Sequence, residues 1–135
     1  MIDRIKNKID MHIAFFEEAE NITKNLVSMS SNLDITRFVN TLDNRARLVN
    51  IVSTIQEDAE RMLEHLNKHD LTREFIEHLQ KWQSKSDGIT KHILDMDCEL
   101  LDRLENEKSD AAKEIAIIFK KRNALKGYNL NNVER

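Results

Sequence analysis

Between Asp87 and Asn129 the apolar side chains fall at Ile89, Ile93, Met96, Leu100, Leu104, Ala111, Ile115, Ile118 and Leu125. Steps of three and four keep side chains on one face of an α-helix, so this spacing predicts one long amphipathic helix. At ~1.5 Å per residue, forty residues of helix run about 60 Å. No helix of that length buries its stripe unaided, so the rest of the chain, or a partner, must pack along it. Lys120, Lys121, Arg122 and Lys126 crowd the last two turns, where cations favour the helix dipole. Gly127 stands where a C-cap is expected, with Tyr128 presented just beyond it. The start is open to two readings. Ser86 or Asp87 N-caps a new helix, or Gly88 is an interior glycine and the helix runs back to Leu71.

The preceding chain has the same grammar. Ile2, Ile5, Ile9, Ile13, Phe16, Ala19, Ile22, Leu26 and Met29 predict a helix over 2–31, closed by a turn at Ser30, Ser31 and Asn32. Asp34 N-caps a second helix carrying Ile35, Phe38, Leu42, Leu48, Ile51, Ile55, Ala59, Met62 and Leu66, with Arg45 and Arg47 interrupting its apolar run. Asn67 to Asp70 form the next break, with Asp70 as N-cap. A third helix from Leu71 carries Phe75, Ile76, Leu79 and Trp82. The absence of proline, two glycines, 33% charged residues and 5% aromatics fit a long-helix protein. The expected fold is all-α: residues 1–135 as one domain, an elongated antiparallel bundle of three to four helices with a long C-terminal helix. Some of its apolar stripe is expected to stay uncovered until a partner arrives.

Charge and motifs narrow the function. A net charge of −3 argues against nucleic acid as a partner. No apolar run approaches the ~18 residues of a membrane span, and residues 1–10 lack the apolar core of a secretion signal. The single cysteine, Cys98, fits a reducing cytoplasm and reads as an inert thiol. There is no phosphate loop, nucleophile elbow or Cys-x-x-Cys, so no motif marks a catalytic or cofactor site. Asp95, Glu99 and Asp102 share a helix face and read as a solvated acidic row, with Glu99 paired to Arg103. His65 and His69, with His92 and Asp97, resemble part of the di-iron pattern of haemerythrins. The His-x-x-x-Glu pair of that pattern is missing, and Arg45 and Arg47 stand in its place, so no metal is expected.

A second resemblance covers most of the chain. Asn44-Arg45-Ala46-Arg47-Leu48-Val49 resembles the arginine-leucine segment of the small flagellar export chaperones. Ile93 to Asp97, followed by Leu100, Leu101 and Leu104, resembles the middle of their long helix, and Lys120 to Tyr128 is similar to their lysine-rich run ending in tyrosine. The chain is most similar to the FliT type, with the FlgN type close in kind. The resemblance implies a cytoplasmic chaperone with no enzymatic activity and no cofactor, which binds the C-terminal helical region of a flagellar filament-cap protein (FliD-like), or a hook–filament junction protein. It would then deliver that cargo to the cytoplasmic domain of an export gate (FlhA-like). It places the gate contact at Leu125 and Tyr128. The FliT pattern continues into a further helix after the tyrosine, whereas seven residues follow Tyr128 here. The stripe Ile89, Ile93, Met96, Leu100 and Leu104 is the expected cargo groove, with packing inside the monomer or a homodimer as its alternative. The second function class is a structural coiled-coil or dimerisation module.

Overall fold

Four helices form because each apolar stripe has a neighbour to bury it. The structure, a computed structural model, describes residues 1–107 and 109–122, and residues 123–134 only as part of its last helix. The helices are α1 (Ile2–Met29), α2 (Ile35–Glu64), α3 (Arg73–Asn106) and α4 (Asp110–Glu134), with a short 3₁₀ turn at Lys68–Asp70. Among the described residues there is no strand, and no helix is long and apolar enough to cross a membrane. The all-α bundle expected from the periodicity is what the chain adopts.

Local chemistry sets the boundaries. Asp34 has extended backbone and its carboxylate accepts from Arg37 N at 3.2 Å, the cap anticipated for α2. At α3 the cap is Thr72, whose hydroxyl accepts from Phe75 N at 3.2 Å. Asp70, the expected cap, belongs instead to the 3₁₀ turn. Residues 65–72 are long enough to cross the end of the bundle, and they do. The main packing pairs are α1 with α2 and α3, and α4 with α3 and α2. Consecutive helices are antiparallel, while α1 and α3 run parallel: Ile5 and Ile9 cluster with Phe75 at one end, Leu26 with Leu100 and Leu104 at the other.

The forty-residue helix does not form as one piece. It breaks between Asn106 and Asp110, where Glu107 is extended and Ser109 Oγ accepts from Ala112 N at 3.1 Å. The reason lies in burial. Residues 105–110 carry no apolar side chain, so nothing opposes a reversal there. The reversal brings Ile115, Ala116 and Phe119 onto Leu100, Leu104, Phe38 and Leu42. Full burial of Ile115 and Phe119 contributes about 1.5–3 kcal/mol each. Lys120 Nζ meets Glu105 Oε1 at 2.7 Å across the new hairpin, and Arg122 pairs with Asp43 of α2. The buried face of α4 is Ala112, Ile115, Ala116 and Phe119, one step on from the Ala111 and Ile118 expected, while Ile117 is exposed.

Upstream the opposite reading holds: α3 runs unbroken through Gly88, so the longest helix is α3. Gly88 is exposed, and a Cβ built there meets nothing within 4 Å. Gly88→Ala is therefore expected to raise stability by about 0.5–1 kcal/mol, the helix-interior difference between the two residues, measurable as a higher urea midpoint at unchanged slope.

Candidate binding groove

The stripe expected to hold cargo lies inside the bundle. Ile89, Ile93 and Met96 pack with Phe16, Ala19, Val49 and Val52, and Leu100 and Leu104 pack with Leu26, Phe38 and α4. All five are buried, Leu100 completely, so they form core and line no open groove. The cause is the parallel placement of α1 along α3 and the fold-back of α4, neither of which a single-helix pattern discloses. Leu125 and Tyr128, the expected gate contacts, lie outside the described residues, as does the cap expected at Gly127. Cys98 is exposed, and Glu99 Oε1 accepts from Arg103 Nη2 at 2.7 Å. The histidines are spread out. His65 and His69 are exposed, and His92 Nδ1 lies 2.8 Å from Glu20 Oε2. Among the described residues no group of three His, Cys, Asp or Glu is placed to hold a metal ion.

Asp97, the carboxylate of the haemerythrin-like spacing, is instead the partner of Arg45. Both are buried, with Arg45 Nη1 donating to Asp97 Oδ1 at 2.5 Å and to Thr23 Oγ1 at 3.3 Å. Thr23 Oγ1 donates in turn to Ala19 O at 2.9 Å, and the guanidinium carbon stands 5.9 Å from the Phe119 ring centroid. One polar knot therefore touches all four helices. The sequence carried a signal for it: one arginine in the stripe Leu42–Val49 of α2, one aspartate in the stripe Ile93–Leu100 of α3. Buried charges require partners, so two lone opposite charges in two apolar stripes point at each other.

A second polar contact leads to the surface. His12 on α1 is completely buried; Trp82 Nε1 donates to its Nδ1 at 2.9 Å, and its Nε2 lies 3.2 Å from Gln56 Oε1. With Nδ1 accepting, Nε2 carries the proton and donates to Gln56, and Gln56 Nε2 donates in turn to Glu60 Oε1 at 3.0 Å. The imidazole is thus neutral and fully satisfied. Burial pushes its pKa below the ordinary 6.5, against smaller upward effects from the Gln56 hydrogen bond and the Glu60 charge. A lowered folded-state value means that the unfolded chain takes up the proton first. The His12 contribution is then complete above about pH 6.5 and is lost as the pH falls from there toward the folded-state value. Wild type is expected to lose more stability than His12→Gln between pH 7.5 and pH 5, as measured by urea unfolding at both pH values.

Trp82, held at its nitrogen by His12, turns its ring into an open groove between α1 and α3. The groove encloses about 520 Å³. Its apolar lining is Ile9, Ile13, Ala14 and Trp82. Asp10, Glu17 and Glu18 stand on the α1 side, and His78, Lys81 and Lys85 on the α3 side. The spacing explains the arrangement. Positions 10, 14, 17 and 21 step along one edge of α1, and 78, 81, 82 and 85 along one edge of α3, and the two helices run parallel. Ala14 is exposed; its single methyl group leaves room that a larger side chain would fill. The sequence placed Trp82 on the third helix but gave no means of seeing that its neighbour would be α1. No family model, curated protein or solved structure matches the chain.

Proposed function

We propose that this chain is a cytoplasmic export chaperone of the flagellar kind, a binding protein and not an enzyme, which holds an amphipathic helical segment of its cargo in the α1–α3 groove. The observation that carries the reading is the groove itself: a short apolar floor of Ile9, Ile13, Ala14 and Trp82 between two charged walls, the form that helix-in-groove recognition takes. From Asp10 to Asn21 the lining spans three turns, or about 16 Å. The chaperone resemblance supplies the cargo class, a filament-cap or hook–filament junction protein, and proposes the export gate as the contact of Leu125 and Tyr128. The cargo site moves outward from the Ile89–Leu104 stripe, since those side chains are occupied in holding the helices together.

Trp82 is the only tryptophan, so its emission reports occupancy of the groove directly. Titration with the C-terminal helical segment of a flagellar cap protein, free of tryptophan, should shift that emission and saturate. Ala14→Phe should abolish the response and leave the melting temperature within a few degrees of wild type, because residue 14 is exposed. A cap segment that binds wild type and Ala14→Phe equally well would place the cargo elsewhere. A chain that sediments as a dimer and ignores the segment would favour the dimerisation module.

A further inference from the structure

The two walls of the groove carry opposite charge and do not meet. Past the groove the same two helices are joined by Glu20 Oε2 and His92 Nδ1 at 2.8 Å; among the lining residues one pair approaches across it, His78 Nε2 and Asp10 Oδ1 at 3.8 Å. Beyond that point Glu17 and Glu18 face Lys81 and Lys85 along parallel helices, all four exposed. Among the described residues no opposite charge lies within 4.0 Å of any of them. Oppositely charged rows held apart over an apolar floor are matched by an occupant that bridges both. That occupant is a helix with an apolar face on Ile13 and Trp82, cations along the flank facing α1 and anions along the flank facing α3.

We infer that the groove selects a charge-polarised amphipathic helix, basic on one flank and acidic on the other, and thereby fixes the direction in which that helix lies. This deepens the reading of the groove as a helix-binding site and rests on it. Direction follows from geometry. Turning a helix end for end while keeping its apolar face down exchanges its left and right flanks. A segment with one basic and one acidic flank therefore matches α1 and α3 in one direction only; in the other, like charges face each other on both sides. Complementary rims of this kind act on partner choice and orientation more than on raw affinity.

Three designed helical peptides without tryptophan test this, each with the same Leu-Ala stripe. One carries Lys on one flank and Glu on the other, one Lys on both, one Glu on both. Trp82 emission should show the mixed peptide binding about ten-fold tighter than either uniform one at low salt, with the difference shrinking as ionic strength rises. In Lys81→Glu/Lys85→Glu both walls are acidic, and the ranking should move to favour the all-Lys peptide. Both lysines are exposed, so the variant should keep the wild-type circular dichroism. Equal binding of the three peptides, no binding of any, or an unmoved ranking in the variant would each overturn the inference. So would a dimer that no peptide dissociates, since the occupant would then be a second copy. The outcomes separate the two proposals. Binding of the cap segment with a flat peptide ranking leaves the chaperone reading standing alone. A mixed-flank preference without cap-segment binding leaves only the charge-selective groove.

Discussion

Asp97→Ala is expected to lower stability by about 3–5 kcal/mol, the cost of removing one member of a buried ion pair. The Arg45 guanidinium would stay behind three helices with its anion gone, while Asp97 and Arg45 are both nearly inaccessible in the wild type. For a domain of this size that is a large share of the total, which is typically about 5–15 kcal/mol. The companion variant separates the pair's worth from the damage of breaking it. Arg45→Leu/Asp97→Leu removes both charges at once and is expected to regain most of the loss, because desolvating two ions offsets much of their attraction. Urea unfolding of Arg45→Leu, Asp97→Leu and the double variant gives the coupling directly. A loss below about 1 kcal/mol in Asp97→Ala would show that water reaches the pair and that the helices around it part readily.

Leu100→Ala is expected to cost about 2–5 kcal/mol, the range for truncating a buried leucine where the surroundings close only partly. Leu100 has no exposed surface and stands in the cluster that joins α1, α2, α3 and α4. The same substitution should leave binding in the α1–α3 groove unchanged once the variant is studied below its melting temperature, since that groove is lined by residues 9–21 of α1 and 78–85 of α3. If Leu100→Ala instead keeps its stability and loses cargo, the Ile89–Leu104 stripe is a binding surface and α4 must leave it to admit a partner. The two variants thus weigh one placement of the cargo site against the other.

Much of this architecture was legible in the residues. Steps of three and four marked α1 and α2 nearly to their ends, and Asp34 capped α2 as its side chain predicts. The break between α3 and α4 leaves no mark in the periodicity, because Leu104 and Ala111 are seven residues apart and so keep to one face as in an unbroken helix. Periodicity registers which face is apolar; it does not register whether six polar residues between two apolar ones continue the helix or reverse it. The choice was made by Ile115 and Phe119, which find cover on α3 and α2 only if the chain folds back. Arg45 interrupts the apolar run of α2 and belongs to its arginine-leucine segment, yet its place in the α2 stripe and the matching place of Asp97 in α3 carry the clue to their pairing.

Residue order alone was enough for helices, their stripes and several of their caps, because these depend on side chains within one or two turns of each other. It was also enough to show that the helices must pack together, since each stripe is too apolar to leave in water. Which helices become neighbours was decided in three dimensions. Residues 65–72 carry α3 across the end of the bundle to lie parallel to α1. That placement buried the stripe which, seen one helix at a time, looked like a groove. It also set Trp82 and Lys85 of α3 opposite Ala14 and Glu17 of α1 across an open groove. No spacing within either helix encodes that meeting, because a stripe specifies how much surface a helix must bury and leaves open which partner buries it.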